Sequence, residues 1–478
     1  MSPSARGVSF TRGPRNAAAA APDFRQLHSC RPAAALPRRR HGTAAAAATP
    51  QSGSGSTSKE AAVTKDYLSW ATEAGILSPK LMQAYFGGLR GGQALSDIAA
   101  DEVFVTVPRG AALVVAPNER CPCPDFVDPG FYKEAPWFVK MAVLLLWERR
   151  KGRGSSVWGY IEQLPSSIDT PVRWEEADLA ELQYQPAIKE IKQQQTAWRQ
   201  QYNRFCAAVR PGQGNYSWDN FLWAAENVRS RAFSGPYTGS SVGEKARTLG
   251  LLLAAGGGYA AWQQLPLEQV LNGFISVLLF NIIYDVLISK KLKWYALCPV
   301  VDALNHSSLV ESDVAYEYFK DTFVLSTKSA YKAGQQVFIS YGAQANGSLL
   351  QYYAFTEPGN PNDVYAWEAS LAGQPVQLVV NARGSFTAEC QQAARVALGS
   401  GGASDAQLRQ ALLAAAEAEL ASKPSSAADD ERLLQTSHLM APRQRAAVEF
   451  RLEKKRVLER AVAKSRKRLS KRAAAPAA

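Results

Sequence analysis

The chain has 478 residues, 46% of them hydrophobic and 20% charged, with a formal net charge of +12. At the usual ~150 residues per domain that is material for two or three domains, and it excludes a chain disordered throughout. Six cysteines without regular spacing exclude a disulfide framework and fit a reducing compartment or its organellar equivalent.

In chain order, residues 1–58 carry eight arginines and a single acid, Asp23, with runs of alanine and serine. That is the composition of a mitochondrial or chloroplast transit peptide, against the alternative of an ordinary disordered tail. Residues 443–478 hold thirteen Lys or Arg against three Glu, which leaves the 384 residues between these ends at −5. The basic character therefore belongs to the termini, and nucleic acid is a disfavoured partner.

Residues 60–115 read as strand-rich after a short helix, with a glycine-rich stretch at 87–92 and a β-branched run at 102–108. Residues 109–220 read as a helical insert, apolar at 136–148 and polar but helix-favouring at 175–205. Alternation returns over 314–341, and from about Gln377 onward the pattern is helical, ending in a long basic helix from Arg443 to Leu469 whose charge reads as a solvated face. The class is α+β: a strand-rich domain at 59–370 with helical inserts, followed by an all-α domain at 371–478.

One insertion, 236–295, stands apart. Residues 249–262 carry no charge, and residues 270–288 carry only Asp285. As a helix the second stretch rises about 28 Å, close to the hydrocarbon thickness of a bilayer. Gly250, Ala254 and Gly258 form a small-residue stripe, while Lys245, Arg247, Lys290, Lys291 and Lys293 flank the pair. Asn272, Asn281 and Asp285 are costly in lipid, so two readings stay open: a membrane hairpin over 249–288, or a hairpin buried in the protein.

Common catalytic sets are absent. The four histidines include His28 and His41 in the presumed transit peptide, and His306 with His438 has no metal-ligand spacing. Cys121-Pro-Cys123 lacks a second cysteine pair, and there is neither a GxSxG elbow nor a phosphate loop. Three other segments draw notice: Trp223-Ala-Ala-Glu-Asn-Val-Arg-Ser-Arg-Ala-Phe233, Cys298-Pro-Val-Val-Asp-Ala-Leu-Asn-His306, and Val337-Phe-Ile-Ser-Tyr341 with Leu349-Leu-Gln-Tyr-Tyr-Ala-Phe355.

In this order they resemble the SET-domain protein lysine methyltransferases, and most closely the plastid group typified by the Rubisco large-subunit methyltransferase. The resemblance covers most of residues 65–470. It implies a SET fold with a helical C-terminal substrate-binding domain, S-adenosyl-L-methionine as cofactor, and a protein lysine as substrate. It implies Tyr341 as the active-site tyrosine, and Gly88, Arg90, Gly91, Gly92, Arg231, Asn305 and His306 as cofactor-binding residues. Asp302, Tyr316 and Tyr353 would line the lysine channel. Methyl transfer to an amine is an in-line displacement that needs no metal and no protein nucleophile, only alignment and well-placed oxygens. Gly235 departs from the group, which carries a second, substrate-side arginine there. The expectation is a plastid protein-lysine methyltransferase of the stroma or a plastid membrane. Two alternatives stand beside it: a non-catalytic SET scaffold that binds a protein partner, and an electrostatic nucleic-acid binder.

Overall fold

The computed structural model describes residues 67–473 apart from 118, 237–241, 284–292, 318 and 400–403; the transit segment expected at 1–58 lies outside them. Helix α1 (67–73) leads into a hairpin of β1 (Leu81–Phe86) and β2 (Leu89–Ala94). Its two-residue turn is Gly87-Gly88, with φ of 58° and 85°. Both angles are positive, as the tight turns that match strand twist require. The glycine-rich stretch read as a cofactor loop is therefore this turn followed by a strand, with Leu81 opposite Ala94 and Phe86 opposite Leu89. Strands β3 (Val103–Pro108) and β4 (Leu113–Val115) follow.

The helical insert comprises α2 (Pro129–Glu134), α3 (Trp137–Lys151), α4 (Trp158–Gln163), α5 (Glu176–Ala180) and α6 (Gln185–Ala208). Helix α3 is apolar on every side and buried on every side, from Val139 through Leu146 except Lys140. The polar stretch at 175–205 resolves into α5 and α6, parted where Gln183 takes φ 49°. Helix α7 (Trp218–Arg231) starts at a capping box between Ser217 and Asn220 and ends on Arg231, just before β5 (Phe233–Pro236).

Helices α8 (Val242–Trp262) and α9 (Leu267–Ile283) then leave the sheet and return to β6 (Lys293–Leu297), which pairs with β5 and β4. Both readings of this insertion need correction. Among the described residues no helix is long and apolar enough to cross a membrane, and residues 284–288 lie outside them. Nor is the hairpin buried: Leu252, Leu271 and Leu279 are 44–53% exposed.

The chain continues through β7 (Asn305–His306), β8 (Ser312–Glu317), β9 (Thr322–Thr327), β10 (Gln336–Ile339) and α10 (Asn346–Tyr353). Strand β10 lies between β2, its antiparallel neighbour, and β7, its parallel one, in the order β1-β2-β10-β7. Three segments distant in sequence are thereby joined edge to edge. Separate sheets run β3-β9-β8 and β4-β6-β5, and all three sheets share one apolar core with α1, α3 and α7.

A second core gathers β11 (Val364–Leu371), β12 (Gln374–Asn381), α11 (Ala388–Ala397), α12 (Asp405–Ala421) and α14 (Pro442–Ala473), with α13 (Ala427–Gln435) packed on α14. It also takes in Trp174, Leu182, Ile188 and Ile191 from the helical insert. The boundary drawn at 370/371 thus falls inside a β-hairpin, and residues 377–381 are strand, not helix. Gly384, at φ +68°, lies so close to α14 that a Cβ there would stand 2.5 Å from the Arg460 carbonyl carbon.

The basic run of α14 is a solvated face only in part: Arg445, Arg466, Lys467 and Arg468 are exposed, but others are not. Arg443 reaches Asp169 at 2.6 Å and Asp178 at 2.9 Å, while Arg451 and Lys455 converge on the buried Asp430 at 2.9 and 2.6 Å. Lys454 pairs with the equally buried Asp363 at 2.7 Å. These pairs lock α14 onto the insert and the β11–β12 hairpin, and they hold much of its charge inside the protein.

Candidate active site

The parallel pairing of β7 with β10 sets Phe338 beside Asn305 and Ile339 beside His306, which brings Tyr341 to the His306 ring. The two rings stack with centroids 4.9 Å apart and 20° between their planes. Tyr353, the last residue of α10, also stacks on Tyr341, at 4.8 Å and 22°. Phe355 closes the group, 6.2 Å from His306 and 6.3 Å from Tyr353. The helix stops there because Ala354 turns left-handed, with φ 60°. The result is a column, His306–Tyr341–Tyr353, built from three separate elements.

The phenol of Tyr341 donates to the carbonyl oxygen of Leu304 at 2.8 Å, which fixes the direction of its lone pairs. Burial pushes this phenol well above its ordinary pKa, so the oxygen stays neutral near pH 7. The backbone N–H of Tyr341 donates to His306 Nδ1 at 3.1 Å, and the Ile339 carbonyl oxygen lies 3.3 Å from the same nitrogen. The other ring nitrogen, Nε2, lies 3.7 Å from Glu357 Oε2. Neither Nε2 nor Oε2 has a hydrogen-bond partner among the described residues, although both are buried.

Burial also lowers the His306 pKa from its ordinary 6.5, with Glu357 opposing. The unfolded chain therefore binds the extra proton first, and stability rises with pH. This contribution is complete above pH 6.5 and is lost as pH falls through that value toward the lower folded pKa. His306→Gln is expected to flatten the slope of the urea midpoint between about pH 5 and 7; an unchanged slope would remove His306 from the account.

Beside the column lies a buried ionic cluster. Arg231 Nη1 donates to the Asp302 carbonyl oxygen at 3.0 Å and lies 3.5 Å from its carboxylate. The Tyr160 hydroxyl donates to Asp302 Oδ2 at 2.6 Å. Burial raises the Asp302 carboxyl above its ordinary value even with Arg231 alongside, while Asp302 holds Arg231 above its own despite burial. Arg231 Nε is buried and has no partner among the described residues. Upstream, the Tyr67 hydroxyl accepts from Val300 N–H at 2.9 Å. Val300 sits at φ +70°, a strained turn for a β-branched residue that opens the path to Asp302 and Asn305.

Strand β2 supplies the remaining wall. Asn305 Nδ2 donates to the Arg90 carbonyl oxygen at 3.2 Å, while the Arg90 guanidinium is fastened to Gln163 at 2.9 and 3.0 Å. A Cβ on Gly91 would meet Asn305 Nδ2 at 2.7 Å, and one on Gly92 would meet Leu304 at 2.1 Å. These two glycines let β2 close against the 304–306 segment.

Of the residues expected from sequence, Tyr341, Tyr353, Asn305, His306, Arg231, Arg90, Gly91 and Gly92 are brought together directly or through shared partners. Gly88 is not: it forms the hairpin turn, with nothing within 4 Å of a built Cβ. Two residues expected in the channel make other contacts in this structure. Asp302 is part of the buried cluster rather than an open wall, because Arg231 and Tyr160 occupy its carboxylate. Tyr316 lies in the β3-β9-β8 sheet, its ring 5.0 Å from Phe323 and its hydroxyl donating to Asp321. Sequence reasoning missed Tyr160, Glu357 and Trp294. The Trp294 ring fills the space at Gly235, where a Cβ would lie 2.5 Å from it, so a side chain cannot be added there without moving the indole.

Residues 387–458 match the family described as Rubisco LSMT substrate-binding. The ribosomal lysine N-methyltransferase set10 of Schizosaccharomyces pombe is 24% identical over 282 residues, 58% of this chain and 42% of that protein. The actin-histidine N-methyltransferase of Gallus gallus is 24% identical over 311 residues, 62% of this chain and 43% of that protein. The chain thus spans less than half the length of these curated relatives. Among solved structures, the SET domain of LSMT bound to lysine and AdoHcy has a TM-score of 0.59 at 18% identity, covering 85% of this chain and 92% of that one. Rubisco LSMT bound to sinefungin and monomethyllysine has a TM-score of 0.58 at 19% identity, with the same coverage. The fold is therefore that of the LSMT SET domain, followed by a helical region of the substrate-binding type.

Proposed function

We propose that this chain is an S-adenosyl-L-methionine-dependent protein-lysine N-methyltransferase that works in a plastid. One observation carries the reading: Tyr341 presents a buried, neutral phenol whose direction is set by Leu304 and whose ring stacks with both His306 and Tyr353. The residues around it suit such a cofactor. Arg231 Nε is a buried donor without a hydrogen-bond partner among the described residues, Glu357 Oε2 is a buried acceptor in the same condition, and His306 Nε2 is a third such buried polar atom. Buried polar atoms left so are costly, and a zwitterionic cofactor with a polar base supplies both kinds of partner. Arg231, Asn305 and His306 would hold it.

When bound, S-adenosyl-L-methionine supplies an electrophilic methyl group on a sulfonium. The chain's own part is alignment. Tyr341 offers an oriented oxygen, and Tyr353 and Phe355 extend the apolar wall against which an acceptor side chain is held. Such a wall excludes water and lowers the pKa of a lysine amine, which favours the neutral nucleophile. A protein acceptor fits the match of residues 387–458 to a substrate-binding family. Plastid residence rests on the Arg-rich, acid-poor composition of residues 1–58.

The test uses the full chain, methyl-labelled S-adenosyl-L-methionine and a stromal extract, with amino-acid analysis of the labelled protein. Methyl-lysine is the expected product. Methyl-histidine would replace the acceptor, as in the actin-histidine relatives. Cofactor binding without any labelled protein would instead favour the scaffold.

A further inference from the structure

We propose that the α8–α9 hairpin is a lipid-docking device that lies along the surface of an anionic bilayer, in contact with one leaflet. The hairpin is apolar where water-facing helices are polar. Leu251, Leu252 and Leu253 are consecutive on α8 and are 55%, 44% and 42% exposed. Successive side chains on a helix point about 100° apart, so one flat partner face cannot cover all three. On α9, Leu271 and Leu279 are exposed to 51% and 53%, and Trp262 at the end of α8 to 77%. Helices apolar round most of their circumference find a complete partner either inside a protein or in hydrocarbon, and these are outside the protein core. A second copy of the chain presents one face, whereas acyl chains conform to a convex surface.

The polar residues decide how the hairpin meets lipid. The tip of the hairpin carries Gln263 and Gln264 in the turn, and Glu268 and Gln269 in the first turn of α9. Driving that tip into the bilayer would bury a carboxylate and three amides, at a cost of several kcal/mol. Helix α9 has 17 residues, a rise of about 25 Å, and no described helix suffices to cross a membrane. Insertion tip first is thus disfavoured by polarity, while lying in the plane leaves the tip in the headgroup layer. In sequence both roots are basic, with Lys245 and Arg247 before the apolar stretch and Lys290, Lys291 and Lys293 after it. That charge layout complements anionic headgroups at the base of the hairpin.

Because β5 and β6 pair directly, from Phe233–Ala296 to Pro236–Lys293, the hairpin leaves and re-enters one rigid strand pair. Strand β5 follows Arg231 by one residue, so docking would fix the candidate site at the membrane surface. The proposal does not depend on the methyltransferase reading.

Flotation of the full-length protein with phosphatidylcholine vesicles, with and without phosphatidylglycerol, tests it. The wild-type chain is expected to float, more strongly with phosphatidylglycerol and less at high salt. The triple variant Leu252→Gln, Leu271→Gln, Leu279→Gln should lose at least about a hundredfold in partitioning. All three sites are exposed, so its circular-dichroism spectrum and thermal midpoint should match the wild type. A wild-type chain that stays at the bottom of the gradient at every lipid concentration would overturn the proposal. So would a sedimentation-detected dimer that the same triple variant dissolves, which would assign the face to a second copy.

Discussion

Tyr341→Phe is expected to lower kcat for methyl transfer at least about a hundredfold while the Kd for S-adenosyl-L-methionine stays within about threefold. The phenylalanine ring keeps both stacking partners, His306 at 4.9 Å and Tyr353 at 4.8 Å, so the column stands and its surroundings keep their shape. What disappears is one oxygen whose orientation the Leu304 carbonyl fixes. Direct CH···O contacts of about 0.5–1 kcal/mol each would account for only a few-fold loss. The larger effect is expected because the oxygen is preorganised in a buried setting, where loss of one such group costs roughly 10²–10³ in rate. Single-turnover transfer of labelled methyl measures the first quantity and calorimetric titration the second. A loss of binding equal to the loss of rate would show that Tyr341 builds the pocket instead of acting on the acceptor.

The contrast between what could and could not be read from sequence follows from the range of the forces involved. The β-branched run at 102–108 and the alternation over 314–341 predict strands, the latter because a half-buried strand imposes period two on its own side chains. Tyr341, Asn305, His306 and Tyr353 stand in recognisable local motifs, and local motifs suffice when one β-pairing and one helix end bring them together. The role of Asp302 is different. Its neighbours in sequence say nothing of Tyr160, 142 positions away, whose hydroxyl occupies its carboxylate. The strand at 374–381 was masked for a similar reason: its inward residues Val376, Leu378 and Val380 alternate correctly, but over eight residues beside long Ala-rich helices. The α8–α9 hairpin shows the opposite error. Apolar runs were read as interior or membrane-spanning, yet composition does not say on which side of the protein surface an apolar helix lies. The basic run of α14 likewise read as solvated because its carboxylate partners, Asp169, Asp363 and Asp430, come from three other segments.

Asp302→Asn is expected to destabilise the fold by about 3–5 kcal/mol, the usual cost of leaving a buried charge without its counter-ion. The Asp302 side chain is 2% exposed and that of Arg231 15%. Asparagine preserves the volume and an acceptor for the Tyr160 hydroxyl, so the change isolates the charge. The loss should be larger than for an ordinary ion pair because Arg90 is also buried nearby and is repelled by Arg231; Asp302 is the carboxylate that offsets both. A second variant separates this from simple disruption. Burial holds the Asp302 carboxyl above its ordinary value even with Arg231 alongside, which means that the attraction does not fully offset the cost of removing this carboxylate from water. Replacing both partners, Asp302→Asn with Arg231→Met, should therefore recover most of the stability lost in the single variant. Cofactor binding should not recover with it, since Arg231 Nε is a buried donor that the cofactor would occupy. Urea unfolding and calorimetric titration on the same three proteins read the two effects independently. If the double variant regains binding along with stability, Arg231 is a structural counter-ion and the ionic cluster serves the fold alone.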